Sequence, residues 1–206
     1  MATQERESGM SLERLLYFSD AVFAIALTLL ALDLPVPKGT SNAELWSSFV
    51  SHLNDEYLTF VISFLVISRF WMLHHRFFDR VAAVDRRVVQ LDLLYLLWIV
   101  VLPFATRVLG ADGSFAFGTV LYAVVVALVG ATFSLLVWVC ERHDLVTATD
   151  ATWERLGLGS LAVAAVFLLS IPLAFWNTDA AKYFWLVLAI LPPILGAGRR
   201  RTRRAG

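Results

Sequence analysis

The segment Leu15–Leu32, LLYFSDAVFAIALTLLAL, constrains this chain more than any other. After the polar pair Ser19 and Asp20 it runs apolar, interrupted only by Thr28, and its length approaches the ~20 residues that carry a helix across a bilayer. An ionised Asp at the entry of a membrane helix is costly unless a partner or water meets it. Any account of the chain must therefore say what Asp20 and Ser19 do.

Further apolar blocks follow the same pattern. Of 206 residues, 59% are hydrophobic and seven are tryptophan, more apolar surface than a soluble domain of this size carries. We read an all-α integral membrane protein with six transmembrane helices, at about 13–34, 57–76, 88–109, 115–139, 153–175 and 181–196, in one channel-sized domain over 1–198 and a basic tail over 199–206. Pro35 and Pro37 stop the first span, Pro103 kinks the third, and Pro192-Pro193 ends the sixth. Residues 43–53, with Trp46 and Phe49 on one side, form a short interfacial helix. Gly118 and Gly130 in span four permit close approach of a neighbour. The first span reads as retained: its apolar run exceeds a signal-peptide core, and no small-x-small cleavage site follows it.

Basic residues fix the orientation. An even number of spans puts both termini on one side, and that side holds thirteen of the arginines, against Lys38, Arg107 and Lys182 opposite. The positive-inside rule makes the rich side cytoplasmic. The arginine tail is then a topology anchor meeting anionic lipid, and nucleic acid is not a partner. The one cysteine, Cys140, excludes an intrachain disulfide and reads as inert.

Three faces of the first span recur at helical spacing. Phe18, Val22, Ile25, Leu29 and Leu32 form a large apolar stripe, and Ala21, Ala24, Thr28 and Ala31 a small-residue stripe. The large stripe is either core or lipid-facing, or, with several copies around an axis, a constriction able to dewet. Thr28 either hydrogen-bonds its own helix or offers oxygen to a cation. On span two, Trp71 lies three or four residues from His74 and His75, and one of these histidines lies at the depth of Ser19 and Asp20 and pairs with them. Two adjacent histidines without a third ligand do not make a metal site, and no phosphate loop, nucleophile elbow or zinc-protease motif is present. No cofactor or catalysis is expected. Arg69, Asp92 and Arg107 keep a proton- or cation-coupled carrier open as the alternative.

The run of Arg14, Phe18, Ser19 and Asp20 followed by AVFAIALTLLAL closely resembles the TMEM175 potassium channel family, and Trp71, His74, His75, Arg76 and Phe78 resemble that family's W-x-x-H-H-x-x-F element. The likeness covers essentially the whole chain. It implies a homotetrameric potassium-permeable channel of the bacterial plasma membrane, without the filter sequence of other potassium channels and with modest preference for K+ over Na+. Its partners are the other copies, lipid and monovalent cations. By the resemblance, Ile25, Leu29 and Leu32 line the pore constriction and Thr28 is selectivity-associated. Arg14, Phe18, Ser19, Asp20, Trp71 and His74 or His75 form a structural polar network. Asp33, Glu44, Asp55 and Glu56 then bias the outer vestibule toward cations.

Overall fold

The computed structural model describes the backbone of residues 2–111, 116–147, 151–178 and 180–185, and side chains from residue 12 onward except 54 and 151–155. Its helices are α1 (Ala2–Leu32), α2 (Asn42–Ser51), α3 (Leu58–Phe78), α4 (Arg86–Ala111), α5 (Ala116–Arg142), α6 (Ala151–Leu169) and α7 (Ile171–Trp176), with a π-helical stretch, Leu53–Tyr57, leading into α3. Among the described residues, five helical segments are long and apolar enough to cross a membrane. The first turn of the expected sixth span, 180–185, is helical, and the rest of that span and the 199–206 tail lie outside the described residues. The chain is thus all-α through its membrane part, and the only β feature among the described residues is one bridge between Val81 and Val146.

The most buried element is α5, which packs between α4 and α6. Its glycines explain how. A Cβ at Gly118 would lie 2.8 Å from the Val108 carbonyl oxygen of α4, and one at Gly130 2.8 Å from the Ser160 carbonyl oxygen of α6. In hydrocarbon, helix association relies on such close packing. Polar hydroxyls finish the seams: Ser160 donates to the Gly130 carbonyl at 3.2 Å, and Ser134 lies 3.0 Å from that of Gly157. Between α3, α4 and α5, Thr106 donates to Ser63 at 2.8 Å and Ser63 to the Tyr122 hydroxyl at 3.1 Å.

Against the other flank of α3 and α4 lies α1. Its contact stripe is Leu15, Ser19, Phe23, Ala26 and Leu30, all buried. The stripe Phe18, Ile25, Leu29 and Leu32 is not core: it lies about 100° away on an ideal wheel and faces outward, with Ile25 58% and Leu32 78% exposed, whereas Val22 of the same stripe is half-buried and packs against the core.

The apolar stretches Leu12–Leu32 and Leu156–Trp176 correspond to the expected first and fifth spans. Within the fifth, the helix is interrupted at Ser170 because Pro172 lacks an N–H and its ring clashes with the preceding turn. The Ser170 hydroxyl donates to the Phe167 carbonyl at 2.6 Å and accepts Trp185 Nε1–H at 2.8 Å. Helix α1 extends N-terminally beyond the first span, being helical from Ala2. The expected interfacial helix is α2, with no buried residue; Ser41 caps it, accepting the Glu44 N–H at 3.3 Å.

Replacing Gly130 by Leu places a side chain against the α6 backbone. We expect overpacking to cost about 1–3 kcal/mol and to lower the melting temperature in detergent; an unchanged melt contradicts the α5–α6 packing.

Candidate functional site

The polar turn at Ser19 and Asp20 is resolved by two separate sets of partners. Ser19 points into the protein, where its hydroxyl lies 2.9 Å from Asp92 Oδ2 on α4 and 2.9 Å from its own Leu15 carbonyl. Asp92 Oδ1 accepts from His74 Nε2 of α3 at 2.7 Å. All three side chains are buried. The His74 ring stacks on Tyr95 at 5.5 Å and 3°, and Phe23 and Phe78 lie 5.6 and 4.6 Å away. Tyr95 is itself fixed by donation to the Phe70 carbonyl at 3.2 Å. One carboxylate thus joins α1, α3 and α4.

Asp20 belongs to the second set. It is exposed and accepts from Trp71 Nε1 at 2.9 Å. The Trp71 indole stacks on His75 at 5.7 Å and 18°. The expected pairing of a histidine with Ser19 or Asp20 is therefore not direct: His74 and Ser19 meet at Asp92, because this ionisable side chain in the second turn of α4 lies at their depth. Asp92 had suggested a carrier; here its oxygens are taken by two helices. Arg14 is exposed and has no hydrogen bond or ion pair to another described residue, so it does not join the cluster in this chain. Phe18 is half exposed on the outward stripe.

At the other end of α1, Arg107 of α4 forms an ion pair with Asp33. The Tyr57 hydroxyl donates to the Pro35 carbonyl at 2.8 Å. Lys182 pairs with Asp55 at 2.8 Å. Glu44 accepts from the Thr40 N–H at 2.7 Å and hydroxyl at 2.9 Å, which hold its carboxyl below the usual carboxylate range. Of the four acidic groups expected to bias this vestibule, Asp33 and Asp55 carry cationic partners and Glu44 serves a helix start.

Between these two anchored ends, Ile25, Thr28, Leu29 and Leu32 are exposed. Thr28 donates to the Ile25 carbonyl at 2.8 Å, one residue nearer than the expected i−4 partner. Its proton is used within the helix, which leaves oxygen lone pairs for an outside group. No group of three or more metal-ligating side chains occurs among the described residues.

The sequence profile of the endosomal/lysosomal potassium channel TMEM175 matches residues 14–103, covering α1, α3 and most of α4. A Streptomyces collinus protein named as a potassium channel is 36% identical over 169 residues, 77% of this chain and 80% of that relative. This chain belongs to the TMEM175 family. A potassium channel of Chamaesiphon minutus is 40% identical over 110 residues, 52% of each chain. The crystal structure of a TMEM175 homologue from Chamaesiphon minutus, described as a lysosomal potassium-selective channel homologue, superposes with a TM-score of 0.76 at 28% identity, over 88% of this chain and 96% of that one. The TMEM175 match begins at Arg14 and so contains every residue of the Asp92 and Asp20 sets.

The anchors predict an order of damage. Asp92→Ala strands the His74 Nε2–H and leaves the Ser19 hydroxyl only its own Leu15 carbonyl, and breaking a buried pair in this way costs about 3–5 kcal/mol. Asp20→Ala loses one exposed bond worth about 1 kcal/mol. Thermal unfolding in detergent should rank them so; equal losses contradict the assignment of Asp92 as the anchor.

Proposed function

We propose that the chain is the subunit of a potassium channel of the TMEM175 family, in which four copies place their α1 helices around a central path. The observation that carries this reading is the outward face of α1. The helix is fixed at both ends, yet its stripe of Ile25, Leu29 and Leu32 and its small face of Ala21, Ala24, Thr28 and Ala31 are all exposed.

The two free faces suit two jobs. Alanines and Thr28 let a neighbouring copy approach closely. Rings of Ile25, Leu29 and Leu32, four of each, then form a narrow apolar neck where water is easily lost. Conduction through such a neck is set by its width and wetting, and its width by how rigidly α1 is held. The Ser19–Asp92–His74 joint supplies that rigidity at one end, and the Asp33–Arg107 and Tyr57–Pro35 ties supply it at the other. The Thr28 oxygen, its proton committed to Ile25, is the acceptor nearest the neck for a partly dehydrated cation. Ile25 and Thr28 sit about 60° apart on an ideal helix, so Thr28 serves from the flank of the neck. The selectivity this affords is modest.

We place the protein in a bacterial plasma membrane, both termini in the cytoplasm, with six spans and the basic tail over 199–206 against anionic lipid. The coupled-carrier alternative loses two of its three candidates, since Asp92 and Arg107 are engaged as struts, and keeps only half-buried Arg69 of α3.

Purified protein in planar bilayers, with KCl on one side and NaCl on the other, should give discrete current steps and a reversal potential displaced toward K+. Smooth, saturable flux without steps contradicts the channel. Ile25→Asn wets the neck and should raise unitary conductance about twofold or more; a conductance equal to wild type removes Ile25 from the constriction.

A further inference from the structure

The ion pair at the C-terminal end of α1 has a position that a simple strut does not require. Asp33 follows Leu32 directly, and helical phase puts it about 40° from Leu29 and about 60° from buried Leu30. Asp33 lies in the turn that closes α1, partly exposed at the edge of the core. Its side chain is 25% exposed, and the Arg107 side chain that meets it from α4 is 65% exposed. Both line a cavity of about 200 Å³ between the ends of α1, α3 and α4, together with Glu56, Thr106 and Leu30. Glu56 lies 4.0 Å from His52 Nε2.

In the tetramer proposed above, on which this inference rests, four Asp33 carboxylates would ring one mouth of the path just beyond Leu32. Bare, such a ring concentrates cations at the mouth and raises their rate of entry. Each carboxylate instead carries an arginine. The tie is not needed merely to hold the helix end, because Tyr57 already bonds the Pro35 carbonyl two residues on. We propose that Arg107 is a conductance-setting residue: by neutralising Asp33 it keeps the α1 C-terminal mouth electrically neutral and limits how strongly that mouth attracts permeant and blocking cations.

The test is unitary K+ conductance of the full-length protein in planar bilayers for wild type, Arg107→Gln, Asp33→Asn and the double variant. At ~10 mM KCl, where the Debye length is ~30 Å, Arg107→Gln should conduct about two- to fourfold more than wild type, and at ~1 M, where it is ~3 Å, the two should converge. Arg107→Gln should also gain block by Mg2+ added on the side of the α1 C-terminus. Asp33→Asn leaves Arg107 unpaired and should conduct about half as well at ~10 mM KCl. The double variant should match wild type. An Arg107→Gln gain that persists at high salt or in the double variant reports altered pore geometry and overturns the proposal. So does wild-type conductance at low salt. Should Arg107→Gln fail to assemble, Asp33→Asn decides alone, and no change at ~10 mM overturns it. A wild-type protein that does not conduct defeats the channel reading itself, whereas a conducting wild type with unresponsive variants defeats only the role of Arg107.

Discussion

A single buried carboxylate holds this architecture together. Asp92 would be several kcal/mol too costly in a membrane interior without donors, and its donors come from two other helices, Ser19 of α1 and His74 of α3. The three helices consequently become one unit. Phe23, Tyr95 and Phe78 crowd the histidine and exclude lipid and water from the joint. In a low-dielectric setting the hydrogen bonds on both Asp92 oxygens are strengthened and fix the three helices relative to one another, while the other ring nitrogen of His74, Nδ1, has no partner among the described residues. For a helix whose placement sets the width of a narrow path, rigidity is the functional quantity.

That joint uses one face of α1 and leaves two. In water, two unpartnered apolar faces would drive aggregation; in lipid they cost little, and only packing and shape select a partner. The division of α1 into a bulky face and a face of alanines with Thr28 is what gives the choice direction. Small side chains admit a second helix, and large ones fill the space around which the copies gather. The weight of the molecule lies elsewhere: α4, α5 and α6, closed by Gly118 and Gly130, form a scaffold against which the α1–α3 pair is mounted.

Much of this was legible from the residues. The periodicity of α1 separates the stripe of Ile25, Leu29 and Leu32 from the rest, Pro35 marks where α1 ends, and Gly118 and Gly130 announce close helix contacts. What periodicity could not assign is which stripe faces the protein. The buried stripe, Leu15, Ser19, Phe23, Ala26 and Leu30, is no more apolar than the exposed one, because in a membrane hydrophobicity does not distinguish inside from outside. The partner of His74 was missed for a related reason. Asp92 had seemed notable as an isolated charge, yet the loop between α3 and α4 brings His74 and Asp92 to similar depth on neighbouring helices, a signal available once the hairpin is drawn. Pro172 alone signals the break at Ser170, within a long apolar run. The charges at the far end, Asp33 with Arg107 and Asp55 with Lys182, join elements distant in sequence. Nothing local to either partner reveals them.

The claim on which the account rests is that the outward stripe of α1 faces the ion path. Single cysteines introduced in a Cys140→Ser background, at Ile25, Leu29 and Leu32 and, for comparison, at exposed Leu161 of α6, test it most directly. A small water-soluble thiol reagent added during bilayer recording should reduce the current through the three α1 variants and leave Leu161→Cys unaffected. Current that ignores modification at all three α1 positions, or falls equally with Leu161→Cys, would place the path elsewhere in the assembly.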